Sequence, residues 1–219
     1  MKRREILTAA VLAAAGGLVL GRDMPAVSAM PAHPPAAVAR FMATIGGWGL
    51  PAAGAAASVP RLLTLVEFFD YHCPYCRAMS PYLPALLDAH PDVRLLFAEY
   101  PILAPDSAIA SRLALAAARQ NLYLPAHDWL FRQHGRYTTA MVGALAAAIG
   151  ADAARLRRDM NDPAIGMLLD RLQFAGERLD LQGTPAMVTT NGVVEGFLPP
   201  AGLAALVRSL RTRNAVRRA

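Results

Sequence analysis

The spacing of apolar residues changes along the chain, and each change marks an element. Leu62 to Phe69 is a near-continuous apolar run with branched and aromatic side chains, which predicts a buried central strand. About Pro74 to Ala89 reads as a helix: Pro74 suits its first turn, while Pro81 and Pro84 should kink it or end it early. Val93 to Ala98 reads as a second strand, and the order strand–helix–strand predicts a parallel pair with a right-handed crossover. From Pro101 to Leu181 the period is helical. Ile109, Leu113 and Ala117 share one face, and Val142, Leu145 and Ile149 share another, closed by Gly150. Asp162-Pro163 caps a further helix carrying Ile165, Leu168, Leu172, Gly176 and Leu179. These stripes read as core packing. Ala186 to Thr190 and Val193 to Phe197 then flank Asn191-Gly192, a strong hairpin signal. Pro199-Pro200 opens a last helix, about Pro200 to Arg211.

The N-terminal pattern is different. Lys2-Arg3-Arg4 precedes an uncharged apolar stretch, Ile6 to Leu20, and Val27-Ser28-Ala29 offers small residues for cleavage. Residues 1–29 therefore read as a signal peptide. The apolar stretch, about 15 residues, is short of the roughly 20 that a spanning helix needs, so an uncleaved anchor is the lesser alternative. Arg3-Arg4-Glu5-Ile6-Leu7 resembles a twin-arginine signal, and the general secretory route is equally open. Either route leads out of the reducing cytosol, and the expected location is the periplasm. Met30 to about Pro60 is rich in Ala, Gly and Pro and reads as a linker, with one short helix near Val38 to Ile45.

Composition narrows the function classes. With 55% hydrophobic and 17% charged residues the chain as a whole is globular. The net charge of +6 is concentrated at the termini, where Arg208, Arg211, Arg213, Arg217 and Arg218 crowd the C-terminal end. No aromatic residue interleaves with them as a stacking surface for nucleic acid requires, so they read as a solvated helix end and no nucleic-acid partner is expected.

The chemistry centres on the two cysteines of the chain, in Glu67-Phe68-Phe69-Asp70-Tyr71-His72-Cys73-Pro74-Tyr75-Cys76. Cysteines three apart at a helix start share a face and are within reach of one disulfide. At the helix N-terminus, free N–H groups favour a Cys73 thiolate, which makes it both a nucleophile and a good leaving group. Cys76, one turn in, is the expected resolving thiol. A structural bridge closing so short a loop would stabilise little, and zinc would want a second pair of ligands. Glu67 lies in an apolar strand. There it is either a desolvated proton acceptor for Cys76 or a strand-end acid reaching water. His72 either stabilises the Cys73 thiolate when protonated or is a surface histidine. His72, Cys73, Cys76 and Met79 are also ligand types that suit Cu(I), which gives a competing reading as a soft-metal binding protein. Thr184-Pro185 precedes the hairpin. Taken alone, its peptide bond is expected to be trans.

These residues resemble the DsbA-like branch of the thioredoxin superfamily. The likeness runs from Leu65-Val66-Glu67-Phe68-Phe69-Asp70-Tyr71 through Cys73-Pro74-Tyr75-Cys76, Glu99-Tyr100-Pro101-Ile102-Leu103 and Ser107. It continues past the helical stretch to Gly183-Thr184-Pro185-Ala186 and the last helix. It implies an α/β thioredoxin-like fold with an inserted all-helical domain. The division is then signal 1–29, linker 30–60, first half of the core 61–100, insertion 101–181, second half 182–212 and basic tail 213–219. It implies Cys73 as nucleophile, Cys76 as resolver, Glu67 as the acid beneath the site and a cis bond before Pro185, with Thr184, His72, Pro74 and Tyr75 meeting substrate. The implied activity is disulfide exchange with protein substrates, without cofactor or metal, recycled by a membrane redox partner. The Pro-Tyr dipeptide departs from the Pro-His of strongly oxidising members, and Thr before the proline resembles isomerase-like and reductase-like relatives. Dithiol oxidation is the expected direction, with reduction or isomerisation the alternative. The linker lacks a clear dimerisation domain, and a monomer is expected.

Overall fold

The computed structural model describes residues 50–51 and 63–216. The signal peptide, the short helix near Val38 to Ile45 and the end of the basic tail lie outside the described residues. Five strands form one mixed sheet in the order β1-β3-β2-β4-β5. They are β1 (Leu50–Pro51), β2 (Leu63–Phe69), β3 (Val93–Glu99), β4 (Ala186–Thr189) and β5 (Gly192–Glu195). β2 and β3 run parallel with Glu67 opposite Phe97, and β4 joins the other side of β2 antiparallel with Met187 opposite Glu67. β2 is thus central and buried on both faces, as its apolar run requires. β1 pairs antiparallel with β3, Leu50 opposite Phe97, so two residues of the stretch read as linker close the edge of the sheet.

The prolines act as expected. The helix after β2 is divided into α1 (Pro74–Met79), a 3₁₀ turn (Ser80–Tyr82) and α2 (Leu83–Ala89), with Pro81 and Pro84 at the second positions of the second and third pieces. The helical stretch comprises α3 (Ser107–Ala118), α4 (Tyr123–Phe131), α5 (Val142–Ile149), α6 (Ala153–Asp159) and α7 (Pro163–Arg178). Gly150 ends α5 at φ 71°, and the Asp162 side chain caps α7 by accepting the Ala164 N–H at 2.7 Å. α8 (Pro200–Val216) runs past the expected end at Arg211. No Gly or Pro interrupts it there, and Arg211 Nε donates to Asp92 at 2.9 Å, holding the last turns against the β3 entry.

Alternation along β2 and β3 builds two cores. Leu65, Phe69, Leu95 and Phe97 face Met79, Leu83 and Leu86 of α1–α2, Leu203 and Val207 of α8, and the helices α3–α6. Val66, Phe68, Leu96 and Ala98 face Leu172 and Ala175 of α7 and Leu179 just after it. Burying each such side chain contributes about 1.5–3 kcal/mol. α7, read as the end of the insertion, is therefore the layer that covers the second face of the sheet. It approaches closely: a Cβ on Gly176 would come within 2.5 Å of the Tyr100 ring.

Candidate active site

β2 delivers the site. Its odd-numbered residues point to the α1 side, so Glu67 is carried under α1 between Leu65 and Phe69, and the chain then turns through Asp70, Tyr71 and His72 to Cys73. The turn is held by Asp70. Its main-chain carbonyl accepts the Cys73 N–H at 3.0 Å. Its buried carboxylate takes four donors: the His72 N–H and Ser107 hydroxyl on Oδ1 at 2.8 and 2.9 Å, and the N–H groups of Ile102 and Leu103 on Oδ2, each at 2.8 Å. A buried carboxylate so fully bonded costs little to keep and fixes three loops at once.

Cys73 is the N-cap of α1. Its Sγ accepts the Cys76 N–H at 3.3 Å and its thiol donates to the Thr184 carbonyl at 3.1 Å. Both cysteines are free thiols here. The Cys73 pKa is lowered from 9.0 to about 6, chiefly by the hydrogen bond from Cys76. Burial opposes this, and the Thr184 side chain and the N–H groups of Cys76 and Tyr75 add to it. Cys76, fully buried, is pushed well above the ordinary thiol range by desolvation, then by its bond to Cys73 and by the nearby Glu67. Two thiols one turn apart thus differ sharply in acidity.

Glu67 is 1% exposed, which decides against the solvent-reaching alternative. Burial, then the charges of Cys73 and Glu99, raise its pKa from 4.5 to about 8, and its Oε1 has no hydrogen-bond partner. An acid of that strength beside two thiols can give or take a proton near neutrality. The Thr184–Pro185 bond is cis, reversing the default read from the residues alone and matching the resemblance. Pro185 offers its carbonyl to the Gly196 N–H at 2.8 Å, and Thr184 meets Cys73. Pro74 and Tyr75 are exposed, Tyr75 at 62%, whereas Cys73 itself is only 2% exposed under Thr184. His72 takes neither expected role plainly. Its Nε2 pairs with Asp106 Oδ2 at 2.9 Å, an oxygen that also accepts the Tyr137 N–H at 2.7 Å. Met79 is fully buried. Among the described residues no group of three or more His, Cys, Asp or Glu side chains is arranged to hold a metal ion.

Sequence reasoning missed a second buried acid and the ties to the insertion. Glu99, the last residue of β3, accepts hydroxyls from Ser111 at 2.7 Å, Tyr123 at 2.8 Å and Tyr71 at 3.2 Å, yet burial still raises its pKa to about 8. Arg77 of α1 donates to the carbonyls of Phe131, the last residue of α4, and Gln133 just beyond it, and of Tyr71 at 3.3 Å. The only available signal was a charged residue inside or next to an apolar run.

Known proteins are similar to this chain in sequence and fold. The DSBA-like thioredoxin domain family matches residues 64–208. A thioredoxin-like oxidoreductase from Silicibacter pomeroyi DSS-3 is 34% identical, with a TM-score of 0.67 over 75% of this chain and 94% of that one. A periplasmic thioredoxin-like protein from Salmonella enterica serovar Typhimurium is 28% identical, with a TM-score of 0.62 over 72% of this chain and 87% of that one. Among curated proteins, a Na(+)/H(+) antiporter NhaA from Herminiimonas arsenicoxydans is 28% identical over 151 residues, 68% of this chain but 24% of its own length. The chain thus spans about a quarter of the curated relatives it matches. Among the described residues no helix is long and apolar enough to cross a membrane. The match over residues 64–208, along β2, the cysteine helix, the helical insertion and the final hairpin–helix, places this chain in the DSBA-like thioredoxin domain family.

Proposed function

We propose that this chain is an exported, periplasmic dithiol oxidase that passes the Cys73–Cys76 disulfide to cysteine pairs of protein substrates. The observation that carries the reading is the Cys73 sulfur, capped by the Cys76 N–H and held near pKa 6. A thiolate stabilised in the reduced protein favours reduction of the enzyme's own disulfide, which is oxidation of the substrate.

In the forward direction a substrate thiolate attacks Cys73 Sγ of the oxidised enzyme and the Cys73–Cys76 bond breaks. Cys76 leaves with the bonding pair and takes a proton from Glu67, which is protonated below about pH 8. The substrate's second thiolate then attacks its own sulfur in the mixed disulfide, and Cys73 departs as a thiolate. Substrate gains a disulfide and the enzyme two electrons, which a membrane redox partner removes. No cofactor or metal takes part in this scheme, and a monomer suffices. Exposed Tyr75 and Pro74 and the Thr184-Pro185 turn are the proposed substrate-contacting surface, and the substrate sulfur must displace the Thr184 carbonyl to reach Cys73.

Thiol alkylation of intact cells tests the direction. A steady-state disulfide in the periplasmic fraction supports oxidation, whereas a steady-state dithiol overturns it in favour of reduction or isomerisation. Cys76→Ala is expected to accumulate mixed disulfides with substrates through Cys73. An absence of covalent partners would count against the exchange mechanism itself.

A further inference from the structure

The loop after α4, residues 132–138, borders the cysteine pair. Near its start the Gln133 carbonyl accepts Arg77 Nη1 at 2.7 Å, and Arg77 lies one helical turn after Cys73, whose carbonyl takes the Arg77 N–H at 3.1 Å. Near its end the Tyr137 N–H donates to Asp106 Oδ2 at 2.7 Å, the oxygen that also pairs with His72 Nε2. There the Tyr137 ring packs on the His72 ring with centroids 4.8 Å apart. The loop is thus fastened both to the residue before Cys73 and to the residue four after it. Gly135, at φ 83°, turns the chain between these two ties.

The charge of this loop is one-sided. Arg132, His134 and Arg136 are exposed, and no Asp or Glu occurs between Asp128 and Asp152. The cysteine helix beside it contributes Arg77 and no acid from Tyr71 to Leu87. The acids beneath, Glu67, Asp70, Glu99 and Asp106, are buried, and Asp70 and Asp106 are engaged by the donors described above. Among the described residues no carboxylate forms an ion pair within 4 Å of Arg77, Arg132 or Arg136. Arg77, Arg132 and His134 line one open groove of about 650 Å³ that follows the cysteine helix past Ser80 and Pro84. Asp128 is the one acid lining it, against two guanidinium groups. From Arg77 to Pro84 a helical path covers about 10 Å, the length of about three extended residues. Exposed guanidinium groups at a site that meets other polypeptides favour carboxylates, which they bind in bidentate fashion, and repel lysine and arginine.

We propose that this loop and groove dock an acidic segment lying within a few residues of the substrate's reactive cysteine, with Arg132, His134 and Arg136 as specificity-determining residues. The inference rests on the disulfide exchange proposed above and names the class of polypeptide that Cys73 serves best.

Stopped-flow oxidation of three dithiol peptides by the oxidised full-length protein tests it. The peptides share one cysteine pair and differ in its flanks, which are Asp and Glu, Ser and Gln, or Lys. In each, two thiols lose two protons and two electrons to the Cys73–Cys76 disulfide. Dividing each rate by that peptide's rate with the neutral 2-hydroxyethyl disulfide removes differences in thiol acidity. At low salt the acidic peptide is expected to react about tenfold faster than the lysine peptide, with the gap closing to about twofold or less at 1 M salt. Arg132→Gln, His134→Gln and Arg136→Gln combined should close the gap in the same way and leave the neutral peptide's rate unchanged. The wild-type salt series decides independently of that variant. Equal normalised rates, a preference for the lysine peptide, or a preference that survives high salt or the triple substitution would overturn this inference alone. No oxidation of any of the three peptides would overturn the proposed function, and this inference with it.

Discussion

At the residue scale, the property that matters most is how differently two sulfurs one helical turn apart hold their protons. Cys73 is stabilised as a thiolate chiefly by its bond with the Cys76 thiol and by the N–H groups of the helix start, while Cys76 is enclosed beside a carboxylate. Ultraviolet thiolate absorbance of the reduced protein is expected to titrate near pH 6. Thr184→Val removes one hydroxyl from the sulfur's surroundings and should raise that midpoint by about one unit. An unchanged midpoint would place the whole effect on the Cys76 thiol and the helix N–H groups. The carboxyl beneath is equally testable. Glu67→Gln should slow turnover most where Cys76 must gain or lose a proton, leaving Cys73 alkylation far less affected. The Cys-Pro-Tyr-Cys pair, the candidacy of Glu67 and the helix start were legible in the sequence because they depend on neighbours within one strand and one turn. The roles of Asp70, Glu99 and His72 were not. Their partners, Ile102 and Ser107, Ser111 and Tyr123, and Asp106, are contributed from the loop after β3 and the helices beyond, and no local spacing reports such pairings.

At the element scale, local chemistry determined most boundaries. Pro81 and Pro84 divide the cysteine helix where their missing N–H groups require it, and Asn191-Gly192 makes the β4–β5 turn, with Gly192 at φ 133°. β1 was illegible because two residues carry no period, and its pairing with β3 is set by the sheet edge. The side of the sheet taken by α7 was also hidden. Its apolar stripe was plain, but a stripe says that a face is buried and not against what. The close fit of α7 makes a sharp prediction. Gly176→Ala drives a methyl group into the Tyr100 ring and should destabilise the fold by about 1–3 kcal/mol, read as a lower denaturation midpoint. The same change at Gly143, where nothing lies within 4 Å of the added Cβ, should be neutral or mildly stabilising, as alanine favours helices.

At the scale of the whole molecule, the two perturbed acids push stability in opposite directions with pH. Cys73 falls from 9.0 to about 6 in the fold, so its contribution to the reduced protein is complete above pH 9 and is lost as pH falls to 6. Glu67 rises from 4.5 to about 8, so the folded protein keeps a proton that the unfolded chain releases, and stability is lost as pH climbs from 4.5 to 8. Glu99 acts in the same sense as Glu67. Denaturant unfolding of reduced wild-type and Glu67→Gln protein across this range isolates the Glu67 part. The variant's relative stability should climb between pH 4.5 and 8 and level off beyond. A flat difference would mean that Glu67 is ionised throughout.

The anchors of the cysteine helix carry a consequence for engineering. Arg77 is fastened to carbonyls at and just past the end of α4, Asp70 to the entrance of α3, and His72 to Asp106. Cutting residues 101–181 away to obtain a minimal redox module would therefore leave a guanidinium, a carboxylate and an imidazole without counterparts at the very spot where the reactive sulfur is oriented. The helical segment is scaffolding for the chemistry, and a shortened chain would have to redesign those three positions before it could be expected to exchange a disulfide.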